Sequence, residues 1–312
     1  MELFKLFATL AIRNKEANDA LDETSDKAEG TKGKFANAFE KMGTAAVKLG
    51  KVVAKGVVAG ADAVAAITKQ AVEAYADYEQ LVGGVETLFG KSADTVMNYA
   101  NNAYKTAGMS ANEYMETVTG FSASLLQSLD NDTEKAAQKA DVAITDMSDN
   151  ANKMGTDISS IQNAYQGFAK QNYTMLDNLK LGYGGTKEEM QRLLDDAEKL
   201  SGQKFDLSSY ADIVDAIHIV QTEMGITGTT ANEASTTIQG SISSAKGAWQ
   251  NLMVGLADDT QDFDVLISNF ADSVIVVLDN LLPRISIIVK KIPELISKIV
   301  AKLPNILNDI LP

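Results

Sequence analysis

The C-terminal end carries an aliphatic repeat of seven residues, which constrains the fold more than any other feature of the chain. Eight positions, spaced alternately by four and three residues, are all aliphatic: Ile285, Val289, Ile292, Ile296, Ile299, Leu303, Ile306 and Ile310. A sustained repeat of seven is typical of a coiled-coil seam, and β-branched residues along it favour three or more strands over two. The pattern therefore predicts helices that bury one side against another copy, another protein or a lipid surface.

Three prolines interrupt this pattern, namely Pro283, Pro293 and Pro304. Each one removes a backbone donor and costs about 3 kcal/mol or more inside a helix. We therefore expect residues 263–312 to form a series of short amphipathic helices, each beginning near a proline.

The middle of the chain, residues 81–262, also has helical periodicity and is predicted to be a compact multi-helix domain. Apolar residues recur at spacings of three and four within 110–129 and within 186–200. Glycines at Gly83-Gly84 and at Gly182 to Gly185 are interpreted as turns. The apolar positions are Met115, Val118, Leu125, Leu126 and Leu129 in the first segment and Met190, Leu193, Leu194, Ala197 and Leu200 in the second.

Local polar pairs support these helices. A hydroxyl followed three residues later by a carboxylate is the pattern of a capping box, in which each side chain satisfies a free backbone donor. Oppositely charged residues four apart add a few tenths of a kcal/mol on an exposed face. The predicted boxes are Ser110 with Glu113, Thr186 with Glu189 and Thr230 with Glu233, and the predicted ion pairs are Glu188 with Arg192 and Asp195 with Lys199.

The N-terminal part allows more than one interpretation. In residues 1–30 the apolar positions fit a short strand and a helical turn equally well. Residues 31–80 are predicted to be one long Ala/Gly-rich helix, in which Gly56 and Gly60 either allow another helix to approach closely or share this spacing by chance. The predicted fold class is all-α, with long amphipathic helices flanking a compact multi-helix middle region and a short N-terminal strand left open.

Composition excludes several classes of function. The chain has 312 residues, enough for one large or two ordinary domains, with no Cys and a single His. It therefore has no disulfide framework, no thiolate nucleophile and no sulfur metal site. The first residues lack the pattern of a secretory signal. Charges such as Asp272, Asp279 and Arg284 interrupt the apolar segments, so a simple membrane span is not expected.

The net charge of −14 is unevenly distributed along the chain. Residues 1–29 carry −3, residues 30–70 carry +5, residues 71–280 carry −19 and residues 281–312 carry +3. Phosphate contacts need clustered Lys and Arg, so nucleic acid binding is not expected. An acidic, solubilising surface explains the middle equally well.

A search for catalytic patterns finds none, so no catalytic, cofactor-binding or metal-binding residue is predicted and the chain is not expected to be an enzyme. Only His218 could act as a general base near neutral pH, and it borders an apolar stripe, which favours packing over proton transfer. The stretch from Gly182 to Lys187 lacks the spacing of a phosphate-binding loop and is interpreted as a turn followed by a Thr cap.

Other polar and aromatic residues also have structural interpretations. The stretch Asp130 to Thr133 lacks the ligand series of an EF-hand and is interpreted as a solvated helix start. Core packing is the expected role of most of the large aromatic residues, with partner contact as the alternative. These residues are Trp249, Tyr165, Tyr173 and Tyr183.

The densest polar and aromatic detail lies in Asn163 to Met190, NAYQGFAKQNYTMLDNLKLGYGGTKEEM. This stretch resembles the core region of tail tape measure proteins of long-tailed bacteriophages and prophages, especially those of Gram-positive hosts. Four more stretches carry the same resemblance: Tyr75 to Gly90, Phe121 to Leu129, Ile144 to Asp157 and Thr227 to Ser241. Fully helical, the chain would reach roughly 470 Å. The likeness is to the N-terminal and core region of this family. Its members are usually longer, which leaves three explanations open: an N-terminal fragment, a prophage remnant or an unusually short member.

The resemblance implies an extended helical scaffold, present in several copies, around which tail tube subunits assemble and which leaves the tube at DNA ejection. The implied partners are further copies of the chain, as a trimer or higher, the tail tube protein, tail assembly chaperones, distal tail or baseplate proteins and the host membrane. The implied locations are the host cytoplasm during assembly and the interior of the mature tail tube.

Two other functions remain open from the residues alone. The mildly basic, amphipathic segments 37–70 and 283–312 would suit insertion into an anionic membrane during genome delivery. A cell-wall hydrolase ranks third, because no pair of carboxylates has a helpful spacing.

Overall fold

A computed structural model describes residues 61–310, and in this range all regular structure is helical, with no strand. The all-α prediction is confirmed for these residues. Three predictions lie outside the described residues: the strand or helix in residues 1–30, the part of the long helix before Ala61, and the Gly56 and Gly60 pair.

Most of the α-helices follow one another with short connections, and the longest connection, residues 169–186, joins α6 to α7. Two 3-10 segments, Gly90–Ser92 and Leu176–Leu179, accompany them. The helices in chain order are α1 (Ala61–Phe89), α2 (Ala93–Thr106), α3 (Ala111–Thr119), α4 (Ser122–Ser128), α5 (Thr133–Met154), α6 (Ile158–Phe168), α7 (Lys187–Ser201), α8 (Tyr210–Glu223), α9 (Thr229–Thr236), α10 (Ile238–Ala257) and α11 (Phe263–Ile310).

Helix α5 lies at the centre of the packing and contacts α1, α2, α3, α4, α6, α8 and α9. Its contact side consists of small residues and two larger ones, which lets seven neighbours approach the same helix. These buried residues are Ala136, Ala137, Ala140, Ala143, Ile144 and Met147. One continuous apolar core runs from Val85 to Ile226 around this helix.

The predicted helix starts have three different outcomes. Ser110 and Glu113 form the full reciprocal capping box at the start of α3. At α7, Thr186 caps the helix as predicted, but the Glu189 carboxylate accepts from the Gly184 N–H at 2.9 Å and not from the capping residue. The third box is wrong.

The N-cap of α9 is Gly228, so Thr230 lies inside the helix and does not cap it. The backbone N–H of Thr230 donates instead to Asp149 on α5, at 2.7 Å. A buried carboxylate from a neighbouring helix therefore replaces the local cap that the sequence pattern indicated.

Two glycine-containing breaks also differ from the prediction. Gly83 and Gly84 lie inside α1 and form no turn. A Cβ on Gly84 would stand 3.5 Å from the Thr119 methyl group, so this glycine lies where α1 contacts the end of α3. The predicted helix across 110–129 is broken at Gly120, and the break lets Phe121 pack edge-on against Tyr210 with ring centroids 6.0 Å apart.

The predicted ion pairs on α7 are displaced by one residue. Arg192 pairs with Glu189 at 2.5 Å, and Lys199 pairs with Asp196 at 2.8 Å. Both carboxylates are held by the preceding loop, since Asp196 accepts from the Tyr183 hydroxyl at 3.0 Å and Glu189 accepts from Gly184. The cations therefore follow the carboxylates that the tertiary structure has placed.

Helix α10 forms a second centre of packing and contacts α1, α2, α3, α9 and α11. Its glycines allow close approach, because a Cβ on Gly255 would meet Leu266 of α11 at 2.1 Å. The Trp249 and Phe270 rings contact each other across the same interface, tilted by 53° with centroids 5.1 Å apart. Helices α10 and α11 are antiparallel, because Leu266 lies near Gly255 while Asn280 reaches the start of α10.

Helix α11 is continuous from Phe263 to Ile310, so the prediction of short helices punctuated by prolines is wrong. Proline fixes φ at a helical value, and its cost is confined to one lost hydrogen bond and a clash with the carbonyl four residues earlier. Pro283, Pro293 and Pro304 are spaced by ten and eleven residues, and none of them occupies a position of the aliphatic repeat, so the repeat continues through all three.

The stretch Phe263–Ile285 within α11 is long and apolar enough to cross a membrane by length and composition, although the sequence was expected to contain no such span. The charges that motivated this expectation are too few within the stretch to break its apolar character. Phe270 and Val274 of this stretch pack against α10. A helix at the surface of a water-soluble protein also packs its inner side in this way, so its apolar character has two explanations.

Candidate functional site

A groove of about 830 Å³ lies between α1, α3 and α10. Its lining includes two pairs of carboxylates, from α1 and α3, together with Trp249 and Met253 of α10. Among the residues that the structure describes, no Lys or Arg belongs to the lining. The wall residues are Glu73 and Asp77 on α1 and Glu113 and Glu116 on α3.

Helical spacing explains how each wall presents its pair. Residues three or four apart lie on the same face of a helix, and both pairs have such a spacing. Glu113 is also fixed in place, since its carboxylate accepts from the Ser110 N–H at 2.8 Å. Part of the acidic wall is therefore built from the capping box that begins α3.

Hydrogen bonds between a side chain and the backbone join the three helices beneath the groove. The Asn112 amide donates to the Ala74 carbonyl at 2.9 Å and joins α3 to α1. The Ala111 N–H donates to the Asn251 side-chain oxygen at 2.8 Å and joins α3 to α10. Because such bonds fix the relative positions of the helices, the groove is preformed.

The electrostatic character of the groove is acidic. Lys69 approaches Glu73 at 3.6 Å, but both side chains are exposed, and such surface pairs contribute little. Carboxylates of one sign that line a concave surface attract cationic groups from solution. The groove suits a ligand that combines positive charge with an apolar side.

A second cavity, of about 470 Å³, lies on the other side of α3, against α5, α6, α9 and α10. Glu113 and Glu116 line it as well, together with the amides of Asn152, Gln162 and Gln166. Several of these polar groups are bound to protein partners, for example Gln162 to the Thr117 hydroxyl at 2.9 Å. The cavity is a polar space at a junction of helices.

His218 has an ionic contact in addition to its packing role. Its Nδ1 atom lies 3.0 Å from both carboxylate oxygens of Asp146, whose side chain is 1% exposed. Burial raises the pKa of Asp146 to about 6, even though the bond from His218 opposes this rise. The bond to Asp146 raises the pKa of His218 above its ordinary value. Nearby, Lys139 and Asp215 form an ion pair.

The His218–Asp146 pair lies away from both cavities, because neither residue is among their lining residues. Its role is to stabilise the packing of the helices. The sequence interpretation of His218 as a partly buried packing residue is therefore correct but incomplete. Asp146 lies 72 residues away along the chain, and no local pattern connects the two.

Asp149 is a second buried carboxylate that the sequence interpretation missed. Its two oxygens accept from the N–H groups of Gly228, at 2.6 Å, and Thr230, at 2.7 Å, and its side chain is fully buried. These donors belong to the first turn of α9, where backbone N–H groups have no partner in their own helix. Asp149 therefore supports the helix that leads into α10.

The other residues singled out in the sequence form a loop, cap a helix or pack between helices. Gly182 to Gly185 form the predicted loop before α7, and a Cβ on Gly185 would meet the Thr174 carbonyl at 2.3 Å. Asp132 caps α5, as the prediction of a solvated helix start requires. Three of the aromatic residues, Tyr165, Tyr173 and Tyr183, are buried, whereas Trp249 is half-buried at the groove.

The distal part of α11 is a second candidate surface. Asn280 donates to the carbonyls of Ser235 and Thr237, at the start of α10. Because the helices are antiparallel, residues 281–310 continue past the N-terminus of α10 and extend for about 45 Å. Leu282 and Ile287 on this part are 39% and 46% exposed. The distal helix therefore presents apolar residues to its surroundings.

Within the described part of the chain, no group of three or more His, Asp or Glu side chains is arranged to hold a metal ion. No protein-family model matches the sequence, and neither the curated proteins nor the solved structures contain a match to it.

Proposed function

We propose that this protein is a tail tape measure protein of a long-tailed bacteriophage or prophage, in which long amphipathic helices flank the packed helices of residues 81–262. In this role it is a structural protein that catalyses no reaction. Tail tube subunits assemble around it, its length determines the length of the tail, and it is released at DNA ejection.

The observation that carries the proposal is the continuous helix α11, which leaves the packed helices and keeps an aliphatic position at every third or fourth residue as far as Ile310. A helix rises by about 1.5 Å per residue, so its residue count converts directly into distance. Seams of this kind are stable when several helices share them. The resemblance of Asn163 to Met190 to the family gives the scaffold its specific context.

The proposed partners follow from this role. Further copies of the chain, as a trimer or higher, share the aliphatic seam, and the tail tube protein surrounds them. Tail assembly chaperones hold the protein in the host cytoplasm before assembly, and distal tail or baseplate proteins contact its end in the mature tube. The acidic charge of residues 71–280 gives no support to nucleic acid binding.

Changing the length of the distal helix tests the proposal. Two and four heptads inserted after Lys302 of the phage or prophage gene should lengthen the tail by about 21 Å and about 42 Å, at 1.5 Å per residue. Electron microscopy of negatively stained tails measures the change. Tails of unchanged length, or purified tails in which mass spectrometry never detects the protein, would contradict the proposal.

The same experiment addresses the packed helices. We propose that they unfold into extended helices when chaperones deliver the chain into the tube. A matched insertion after Gly202, in the loop between α7 and α8, then lengthens the tail as the distal insertion does. If the packed helices stay folded, only the distal insertion changes tail length.

A second function, insertion into the host membrane during genome delivery, is favoured by one observation. Phe263–Ile285 meets the length and composition of a membrane span, and the basic segment 281–312 overlaps its last five residues and continues beyond it. The full chain should then release dye from vesicles containing anionic lipid, and the substitution of Val276 by Asp should reduce release. Intact vesicles at every lipid composition would exclude this function.

A further inference from the structure

The groove between α1, α3 and α10 and the distal part of α11 carry opposite charges. Four carboxylates and no cation line the groove. Residues 281–312 contain five Lys and Arg residues against two acidic ones. The chain therefore contains both an acidic concave surface and a basic helix.

Four of the five basic residues of the distal helix follow a line beside its aliphatic seam, and Lys290 lies apart from it. Arg284, Lys291 and Lys298 recur every seven residues, and Lys302 follows four residues later. Positions with this spacing share one face of a helix, next to the face on which the aliphatic repeat falls. The helix thus combines an apolar side with a basic side.

The groove has the complementary arrangement. Trp249 and Met253 of α10 contribute apolar side chains, and the acidic pairs come from the two other helices, α1 and α3. A bound helix could place its aliphatic side on these apolar side chains and its cations against the carboxylates. Large aromatic residues and charge complementarity of this kind are common in helix-in-groove recognition.

A single copy cannot make this contact with its own distal helix. Trp249 lies opposite Phe270, whereas Asn280 has already reached the start of α10. Each residue after Asn280 therefore lies further from the groove of its own chain.

We propose that the acidic groove of one copy binds the basic helix 281–310 of a second copy. Since the two surfaces differ, each copy can bind one neighbour through its groove and another through its helix. Association is then head to tail and produces an open chain of copies. This contact is an alternative to the shared seam, because the aliphatic side of one helix cannot lie in a groove and in a seam at once. The inference goes beyond the proposed function and does not depend on it.

Charge reversal in the full chain tests the contact. The groove variant carries Asp77→Lys and Glu116→Lys, which spares the capping residue Glu113. The helix variant carries Arg284→Glu, Lys291→Glu and Lys298→Glu. Sedimentation equilibrium should find that each variant alone associates roughly tenfold or more weakly than the wild type, whose association should weaken with added salt.

The mixture of the two variants gives the most specific result. The groove variant retains a wild-type helix and the helix variant retains a wild-type groove, so an equimolar mixture should form heterodimers that neither variant forms with itself. Contacts between identical surfaces would not produce this complementation.

Matched controls separate the contact from a general charge effect. Asp195→Lys with Glu223→Lys, and Lys153→Glu with Lys170→Glu and Lys204→Glu, make the same charge changes at exposed positions outside the groove and the distal helix. Both controls should associate as the wild type does, and circular dichroism should find all variants folded.

Three results would overturn the proposal. Wild-type association of either variant would exclude the contact. Weakening by the groove variant alone would point to another occupant, such as the basic segment 31–60. Weakening by the helix variant alone would point to a seam shared between distal helices.

Discussion

The packed helices around α5 and the distal helix 281–310 are both rich in aliphatic residues, yet these residues have different surroundings. Around α5, residues such as Ile144 and Met147 are fully buried by helices of the same chain. On the distal helix, Leu282 and Ile287 remain exposed. An apolar stripe therefore stabilises the fold only where the chain itself supplies the opposing surface.

This difference separates two sources of stability. Burial within the chain contributes to the free energy of unfolding of a single copy. An exposed stripe contributes only when another molecule covers it, so its contribution depends on protein concentration. The packed helices should respond to core substitutions, and the distal helix should respond to conditions that change association.

The largest expected effect compares two isoleucines. Ile144→Ala removes a fully buried side chain and should lower the free energy of unfolding by about 2–5 kcal/mol. Ile287→Ala makes the same change at a position that is 46% exposed and should lower it by less than about 0.5 kcal/mol. Urea denaturation at a concentration at which the protein is monomeric measures both.

Equal effects of the two substitutions would contradict this comparison. A large effect of Ile287→Ala that appears only at high concentration would instead assign its stabilisation to association.

The next effect concerns a buried polar contact. Asp149→Asn retains one acceptor oxygen for the two N–H groups of Gly228 and Thr230 and should cost about 1–3 kcal/mol. Hydrogen exchange should become faster in the first turn of α9, because one amide loses its acceptor. Asp157→Asn, at the exposed start of α6, is the control and should cost much less, since Asn is also a good N-cap. Unchanged exchange in α9 would mean that Asp149 does not support that helix.

Ser110 and Asp149 show how much of the fold could be predicted. The capping box of Ser110 and Glu113 depends on residues three apart, and the sequence pattern was sufficient to predict it. The cap from Asp149 depends on residues about eighty positions apart, so the local pattern at Thr230 was misleading. The positions of the helices could thus largely be predicted from residues close together in the sequence, whereas the contacts between helices could not.

The same distinction applies to the candidate site. The basic, aliphatic distal helix is visible in the sequence, because its residues recur along one element. The acidic groove is not, since Glu73, Glu116 and Trp249 come together only when three helices pack. The continuity of α11 was also missed, because the cost of each proline was judged without the helical spacing between them.

The third effect depends on pH. The pKa of Asp146 rises from 3.8 to about 6 on burial, so the folded protein binds this proton more tightly than the unfolded chain. Stability should therefore fall as pH rises through this window. The raised pKa of His218 acts in the same direction, since its stabilisation is present below its ordinary value of 6.5 and is lost as pH rises further.

Replacing Asp146 by Asn removes both contributions. The stability of the wild type relative to Asp146→Asn should increase by about 1–2 kcal/mol from pH 8 to pH 5, at about 1.4 kcal/mol per pKa unit. Urea denaturation at several pH values measures the difference. Asp215→Asn, which removes the half-buried partner of Lys139, is the control and should show a weaker dependence. A difference that is constant or larger at pH 8 would exclude this coupling.

The smallest expected effect is that of Ser110→Ala, beside the groove residue Glu113. Ser110→Ala removes the hydroxyl that accepts from the Glu113 N–H and should cost about 1 kcal/mol. Because the Ser110 N–H still donates to the Glu113 carboxylate, the acidic wall should persist and self-association should be unchanged. Parallel denaturation and sedimentation measurements separate the two outcomes. A loss of association at unchanged stability would mean that the hydroxyl contacts the partner directly, whereas a loss of stability alone would assign Ser110 to the packed helices.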